Sequence, residues 1–382
     1  MHQSIGLYIH IPYCQRKCRY CDFLSFGDRY GIDGSEYFKA LRDELQSIAN
    51  EYGRNRKYGI RSIFFGGGTP SVAEASEITD TMNIIRSNFR IEDNAEITLE
   101  ANPGTVTQEK LHTFYQEGIN RLSLGVQSLE DDVLKAMGRI HSAQDAIRAY
   151  DMARNAGFRN INIDLMLGFP GQTLNMFMDT LHEVIAMEPE HISAYSLIVE
   201  EGTPLCRDID SGLAAEPEQE ADRDMYHSAC RILGDAGYSR YEISNFARIG
   251  YESRHNKGYW TGIYYIGAGL GAASYMPGVR FKNTENMKIY LESPPNKKRD
   301  TGLDEFLSLQ DEMNEFMMLG FRLAEGPDAE VFTSKFGMSY TDIYKTQLDK
   351  LLGMGLIEEH GLGYCLSEKG LDLGNLVFEE FV

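Results

Sequence analysis

Between Gly6 and Leu197 the chain alternates, six times over, apolar runs of period two with apolar stripes of period near 3.6. No other feature constrains the fold as tightly. Repeated strand–helix units place their strands in one parallel sheet, each strand joined to the next by a crossover helix. The strands are expected at Gly6 to Ile11, Arg61 to Phe65, Glu96 to Glu100, Arg121 to Val126, Asn160 to Leu167 and His191 to Leu197. The first helix opens on a D-x-x-E capping box, Asp33 to Glu36, carries Phe38, Leu41, Leu45 and Ile48 on one stripe, and stops at Gly53. Others are expected to start near Ala73, Thr107, Ser142 and Thr173.

Periodicity alone does not separate a barrel from an open doubly wound sheet, but the position of the unusual segments does favour one. Cys14 to Cys21, Gly66 to Pro70, Glu100 to Pro103, Gln127 and Asp164 each lie at or just after the C-terminal end of a different strand. A barrel brings all those ends to one face, whereas an open sheet concentrates its ligand at one switch point. The expected fold is α/β, a partial (β/α)6 TIM-like barrel followed by a small α+β domain.

At 382 residues, 42% of them hydrophobic, the chain exceeds the size at which a single core stops growing, which suggests a large domain with a smaller one. No stretch approaches the ~20 apolar residues of a membrane helix. The start, MHQSIGLYIHIPYC, lacks a basic region followed by an apolar run, so a cytoplasmic location with at most peripheral membrane contact is expected. With 57 acidic against 37 basic residues, and only Lys297-Lys298-Arg299 as a basic run, a nucleic-acid partner is not expected. Three of the six cysteines fall within eight residues, and clustered cysteines in a reducing compartment favour a metal over disulfides.

After about Gly202 the alternation ends. A helix from about Glu216 to Ala236 leads into an irregular, aromatic and glycine-rich stretch that ends near Phe281, and Pro294-Pro295-Asn296-Lys297 reads as a linker. The tail reads as a helix from Leu307, a second helix from Asp342 to Met354, then a hairpin of Leu356 to Glu359 and Tyr364 to Leu366 around Gly361-Leu362-Gly363. That order is winged-helix-like. Residues 301–382 carry 16 acidic and 5 basic side chains, so packing or partner contacts are expected of it and DNA binding is not. The division expected is a core over 1–235, a connecting segment over 236–295 and a C-terminal domain over 296–382.

The chemistry concentrates in C-x-x-x-C-x-x-C, Cys14, Cys18 and Cys21. Three thiolates on a cubane [4Fe-4S] cluster leave one iron without a protein ligand. S-adenosylmethionine (SAM) can chelate that iron through its amino and carboxylate groups, which sets its sulfonium beside a reductant able to cleave the C5′–S bond with one electron. The alternative is a zinc knuckle, which needs a fourth ligand nearby, and His10 is the candidate. GGGTPS, Gly66 to Ser71, follows a strand and offers exposed backbone carbonyls suited to an ammonium group, or else forms a plain tight turn.

The blocks IPYCQRKCRYCDF, FFGGGTPS, LEANPGT, RLSLGVQS, NIDLMLGFPGQT, SLIVEEGTPL and SRHNKGYW, spread from residue 11 to residue 260, resemble those of the HemN/HemW group of the radical SAM superfamily. The resemblance implies that Tyr8 and Tyr20 flank SAM, that Gly66, Gly67, Gly68 and Thr69 receive its methionyl part, and that Glu100, Gln127, Arg139 and Asp164 contact the rest. Two features depart from the coproporphyrinogen III oxidases of the group. Phe23 stands where they carry a further cysteine, and only 13 residues precede Cys14. HNKGYW, His255 to Trp260, resembles instead the heme-chaperone branch, which implies His255 as an axial heme ligand beside the flat apolar surfaces of Tyr259 and Trp260. Cys206, Cys230 and Cys365 read as ordinary buried thiols. The function implied is receipt of heme and its delivery to heme-requiring proteins, membrane respiratory enzymes among them, with the cluster and SAM as cofactors. A radical SAM enzyme acting on a tetrapyrrole is the alternative.

Overall fold

The computed structural model of the chain describes residues 3–27, 34–53 and 57–382, so Asp33 of the expected capping box lies outside the described residues. Six parallel strands form the centre: β1 (Gln3–Ile11), β2 (Tyr58–Gly67), β3 (Ile91–Ala101), β4 (Arg121–Gln127), β5 (Ile161–Leu167) and β6 (His191–Ser196), paired in that order. Between them run α1 (Gly34–Tyr52), α2 (Ala75–Asn88), α3 (Gln108–Gln116), α4 (Asp131–Met137), α5 (Ala143–Ala156) and α6 (Leu174–Ala186). Three of the expected helix starts are cap residues. The Thr107, Ser142 and Thr173 side chains accept from the backbone N–H groups of Lys110, Asp145 and Met176, which satisfies donors that the helix itself leaves unpaired.

The two faces of the strands differ in kind. Ile5, Leu7, Ile9 and Ile11 of β1, Ile161, Ile163, Leu165 and Leu167 of β5, and their equivalents point outward, fully buried beneath the helices. Burial of each such side chain stabilises the fold by about 1.5–3 kcal/mol. The alternate residues point inward and are largely polar: Glu96, Thr98 and Glu100 on β3, Arg121 and Ser123 on β4, Asn162 and Asp164 on β5, His191 and Ser193 on β6. A parallel strand covered on both faces by apolar side chains reads as continuous Val, Ile and Leu. Here the inner face is built for polar contents.

The sheet does not close on itself. After α7 (Pro204–Asp210) and α8 (Gln219–Asp235), β7 (Ser239–Arg240) and β8 (Asn245–Ala247) extend the β6 edge antiparallel, and α9 (Arg254–Trp260) follows. Beyond it β9 (Tyr265–Ala268) lies parallel to β1, and β10 (Ala273–Met276), β11 (Val279–Lys282) and β12 (Glu305–Phe306) continue outward. The stretch expected to be irregular up to Phe281 is therefore sheet and helix. Its strands are two to four residues long, too short for a period-two pattern to register.

A second core gathers Met317, Phe321, Phe332, Leu348, Leu351 and Val377 among others. Its helices are Leu309–Gly320, Ala329–Phe336 and Lys345–Gly353, followed by the antiparallel hairpin β13 (Ile357–His360) and β14 (Gly363–Leu366). The helix expected from Asp342 to Met354 is present but broken at Tyr344, as a short turn of helix over Tyr340–Ile343 followed by Lys345–Gly353, and the middle helix, capped by Asp328 and ended by Gly337 at a positive φ, is additional to the expected elements. This unit meets the barrel where Ala324 N–H donates to Tyr241 O at 3.0 Å and where the Arg322 guanidinium lies 4.5 Å from the Trp260 ring. Among the described residues no helix is long and apolar enough to cross a membrane.

Candidate cluster and cofactor site

Register sorts the inward residues into levels. Gly6, Ser62 and Glu96 share the lowest, Tyr8, Phe64, Thr98 and Arg121 the next, and His10, Gly66, Glu100 and Ser123 the one above. The cysteine loop leaves β1 directly over this uppermost level.

The loop is fixed from several sides. Cys14 N–H donates to Phe26 O at 2.9 Å and Phe26 N–H to Pro12 O at 2.7 Å, which ties its two ends together. Gly68 and Thr69 N–H donate to Ile11 O and Tyr13 O at 2.8 and 2.7 Å, joining it to the end of β2. Arg19 N–H donates to Met137 O at 3.0 Å, Arg19 O accepts from Leu205 N–H at 2.8 Å, and its guanidinium pairs with Asp208, so α4 and α7 clamp the far side. Tyr20 packs into a small apolar cluster with Val133, Met137, Met166, Phe169 and Leu205. His10 bridges inward: one ring nitrogen meets Tyr8 Oη of the same strand at 3.0 Å and the other meets Leu24 O of the loop at 2.9 Å, so both are engaged.

Glycine at 66–68 is required by this approach. A Cβ at Gly68 would sit 2.6 Å from Tyr13 O, and one at Gly67, where φ is +112°, would sit 2.5 Å from the His10 ring.

Around the thiols the partners are donors. Thr69 Oγ1 lies 3.5 Å from Cys14 Sγ, and Arg139 Nη1 lies 3.3 Å from Cys18 Sγ while its Nη2 donates to Gly125 O. Arg139 follows α4, whose end is turned by Gly138 at a positive φ, and its Nε is buried without a partner. Burial pushes the Cys21 thiol up to about 11, so a bound cation is what would ionise it. Among the described residues no three His, Cys, Asp or Glu side chains close on a single ion. The fit to an iron–sulfur cluster rests on the donor set: three thiols of one loop, with a guanidinium and a hydroxyl directed at two of them.

Beside Gly66, Glu100 and Asp164 form a pair of neighbouring carboxyl groups. Burial, then the neighbouring Asp164, pushes Glu100 up to about 8, and burial raises Asp164 against donation from Asn162 and Ser123. A recessed carboxylate pair pushed upward is a site that a cationic ligand would relieve, and SAM carries an ammonium and a sulfonium. Gln127 ends β4 at a bulge in the β4–β5 register with φ of +70°, a conformation non-glycine residues rarely hold without cause. Tyr8 lies 6.3 Å from Phe64, ring centre to ring centre, and burial raises its phenol. The structure therefore gathers Tyr8, Gly66, Gly67, Gly68, Thr69, Glu100, Gln127, Arg139 and Asp164 around one barrel end with the cysteine loop, and these residues fit SAM by charge and donor type.

His255 lies elsewhere. It sits in the first turn of α9, at the lowest level of the barrel, 4% exposed. Glu96 accepts from the N–H groups of Arg254 at 2.9 Å and His255 at 3.0 Å, a carboxylate set at a helix N-terminus. The imidazole lies 5.1 Å from the Phe64 ring, with Nδ1 2.9 Å from Ser62 Oγ and Nε2 2.9 Å from Tyr259 Oη. Both ring nitrogens are thus engaged, and ligation of heme iron by Nε2 would require the Tyr259 bond to be given up. Of the other cysteines, Cys365 is buried, whereas Cys206 and Cys230 are half-buried.

The inner polar residues Ser62, Glu96, Asn162 and His191 are additional to the expected site, and their signal is present in the sequence: polar residues at every second position of strands whose other face is apolar. Tyr241, which joins them, lies outside the strands and carries no such signal.

A partial parallel barrel with a three-thiol loop after its first strand defines the class of radical SAM proteins. The profile of the Radical SAM superfamily matches residues 8–184, and that of the HemN C-terminal domain matches residues 307–373. The chain is 36% identical to the Heme chaperone HemW of Lactococcus lactis, over 98% of this chain and 96% of that one. It is 34% identical to that of Escherichia coli, over 99% and 98%. This chain belongs to the HemW family of the radical SAM superfamily. Its fold superposes on Escherichia coli coproporphyrinogen III oxidase HemN with a TM-score of 0.85, covering 100% of this chain and 90% of that one at 23% identity.

Proposed function

We propose that this chain is a heme chaperone of the cytoplasm that binds heme and passes it to acceptor hemoproteins, respiratory enzymes of the membrane among them. The observation that carries the reading is the near full-length likeness to proteins named Heme chaperone HemW, joined to a thiol loop placed over a recessed carboxylate pair. Cys14, Cys18 and Cys21 would hold a [4Fe-4S] cluster. Tyr8, Tyr20, Gly66, Gly67, Gly68, Thr69, Glu100, Gln127, Arg139 and Asp164 would receive SAM. When bound, the reduced cluster supplies an electron to the SAM sulfonium.

The protein's own part is electrostatic and steric. Arg139 donates toward Cys18 Sγ and would offset negative charge gathered on the sulfurs of a bound cluster. Glu100 gives up its proton when a cation enters. Tyr20, packed in its apolar cluster with Val133 of α4 and Leu205 of α7, ties the loop to those two helices. In this reading residues 1–235 form the cofactor-binding unit, 236–295 close the barrel floor and sheet edge, and 296–382 form an acidic unit for contact with acceptors.

The test titrates the anaerobically reconstituted chain with heme and separately assays 5′-deoxyadenosine and product formation from coproporphyrinogen III. Saturable stoichiometric heme binding without conversion supports the proposal. Conversion at a catalytic rate would make the chain an enzyme of tetrapyrroles instead.

A further inference from the structure

Asp164 ends a chain of buried hydrogen bonds that runs down the barrel interior. Asn162 Nδ2 donates to Asp164 Oδ1 at 2.7 Å and to Ser123 Oγ at 2.7 Å, and that hydroxyl donates to Asp164 Oδ2 at 3.1 Å. With the amide nitrogen committed to two acceptors, the Asn162 oxygen must accept. It meets His191 Nδ1 at 2.6 Å and the Ser193 hydroxyl at 3.1 Å. His191 therefore carries its proton on Nδ1, and its bare Nε2 accepts from Tyr241 Oη at 2.8 Å. The Tyr241 oxygen in turn accepts from Ser253 N–H, the cap of α9, at 3.2 Å. Each proton is assigned by the one before it.

His191 is wholly buried, and burial together with the Arg121 charge holds its imidazole well below the ordinary range, hence neutral. A buried neutral chain of this kind contributes little stability that apolar residues of like volume could not match. What it does is select one of the two flips of the Asn162 amide. The opposite flip would set the amide oxygen against the Asp164 carboxylate and withdraw a donor from it.

We infer that His191 is a positioning residue for SAM recognition, acting through Asn162 to fix the orientation of the Asp164 carboxylate. The inference rests on the reading that Asp164 contacts SAM. It adds a residue one inward level below Asp164, at the register of Asn162, that sets how well Asp164 does so.

The experiment measures SAM affinity by calorimetry, and the SAM-induced change in the reduced-cluster EPR signal, on the reconstituted full chain and four variants. Asp164→Asn is the control for the underlying reading. His191→Leu removes the Nδ1 donor and should weaken SAM binding ~10-fold, the order expected for one lost hydrogen bond to a charged system. His191→Asn puts an amide N–H near the position of Nδ1 and should restore affinity to within ~3-fold of wild type, although the link to Tyr241 is gone. Both variants lose thermal stability, so a merely structural role would weaken them alike. Asn162→Ser removes the donor to Asp164 directly and should also bind ~10-fold more weakly, which serves if His191→Leu does not fold. Wild-type affinity in His191→Leu or Asn162→Ser, or no rescue by His191→Asn, overturns the inference provided Asp164→Asn is impaired. Unimpaired binding by Asp164→Asn overturns the reading beneath it, and the inference with it.

Discussion

Replacement of His255 by alanine tests whether this imidazole serves heme or the fold. In the structure the ring lies against Phe64 at 5.1 Å and edge-on to Tyr259 at 5.0 Å, and its nitrogens meet Ser62 and Tyr259. His255→Ala leaves a cavity, strands the Ser62 hydroxyl in a dry interior and loosens Tyr259, at a cost of ~3 kcal/mol at pH 7.5. For a chain of this size that is a fall in melting temperature of ~4 °C. The cost depends on pH with a definite sign. Burial, then the Arg121 and Arg61 charges, holds the folded-state imidazole down to about 3, against ~6.5 in the unfolded chain. The unfolded chain therefore takes up a proton that the folded one refuses, and stability is lost as pH falls below ~6.5 at about 1.4 kcal/mol per unit.

Alanine has no such proton, so the deficit of His255→Ala should shrink by ~2 kcal/mol between pH 6.5 and pH 5. The assay is chemical unfolding of wild type and variant at both pH values, with heme spectra recorded on the same samples. The structural expectation is a variant that unfolds more easily at neutral pH, converges on wild type in acid, and gives bound-heme bands like those of wild type. A variant of unchanged stability whose heme bands shift would refute the reasoning and make His255 the axial ligand.

Three further outcomes are expected. Changing Cys14, Cys18 or Cys21 to alanine should abolish a reconstituted cluster of one [4Fe-4S] per chain whose reduced EPR signal responds to SAM, and tight stoichiometric zinc in its place would show the loop to be a zinc site. The wild-type chain should not turn coproporphyrinogen III into protoporphyrinogen IX, and Phe23→Cys, a change at a residue 64% exposed, should not confer the activity; protoporphyrinogen detected by chromatography would contradict this. Because Glu100 is held up to about 8, it is protonated below that pH and must lose its proton to face a cation. SAM affinity should therefore fall as pH drops from 8 toward 6.5, by up to ~10-fold per unit, and Glu100→Gln should bind weakly with that part of the pH dependence removed, as calorimetry at three pH values would measure.

The six central strands could be read from the sequence because each is long enough for its outward apolar residues to recur, and because cap residues such as Thr107, Ser142 and Thr173 mark where the helices begin. What escaped was of two kinds. Segments such as Ser239–Arg240 and Asn245–Ala247 are strands only because an edge of the existing sheet accepts them, so their information lies in β6 and not in themselves. HNKGYW escaped as structure for a related reason. Its helix, Arg254–Trp260, has seven residues and is held at its start by Glu96, a carboxylate 158 positions earlier in the chain than Arg254. The cysteine loop was legible because its chemistry is local, whereas the orientation of His255 is decided by Ser62, Phe64 and Tyr259 together.

The same argument bears on GGGTPS. Read alone, a run of three glycines suggests backbone laid open to a ligand, but the atoms nearest to an added Cβ belong to the protein: Phe64 and Glu100 at Gly66, His10 at Gly67, Tyr13 at Gly68. The glycines first allow the cysteine loop to lie directly on the end of β2, within reach of the Gly68 and Thr69 N–H donors. Any ligand held by their remaining polar groups is thereby held against the thiols, since loop and glycine run are one packed unit. It follows that Gly68→Ala, whose Cβ would overlap Tyr13 O at 2.6 Å, should lift the loop and lower cluster content as well as SAM affinity. Iron and sulfide counts on the reconstituted variant decide it: full cluster occupancy with only SAM binding lost would mean that the glycines serve the ligand alone.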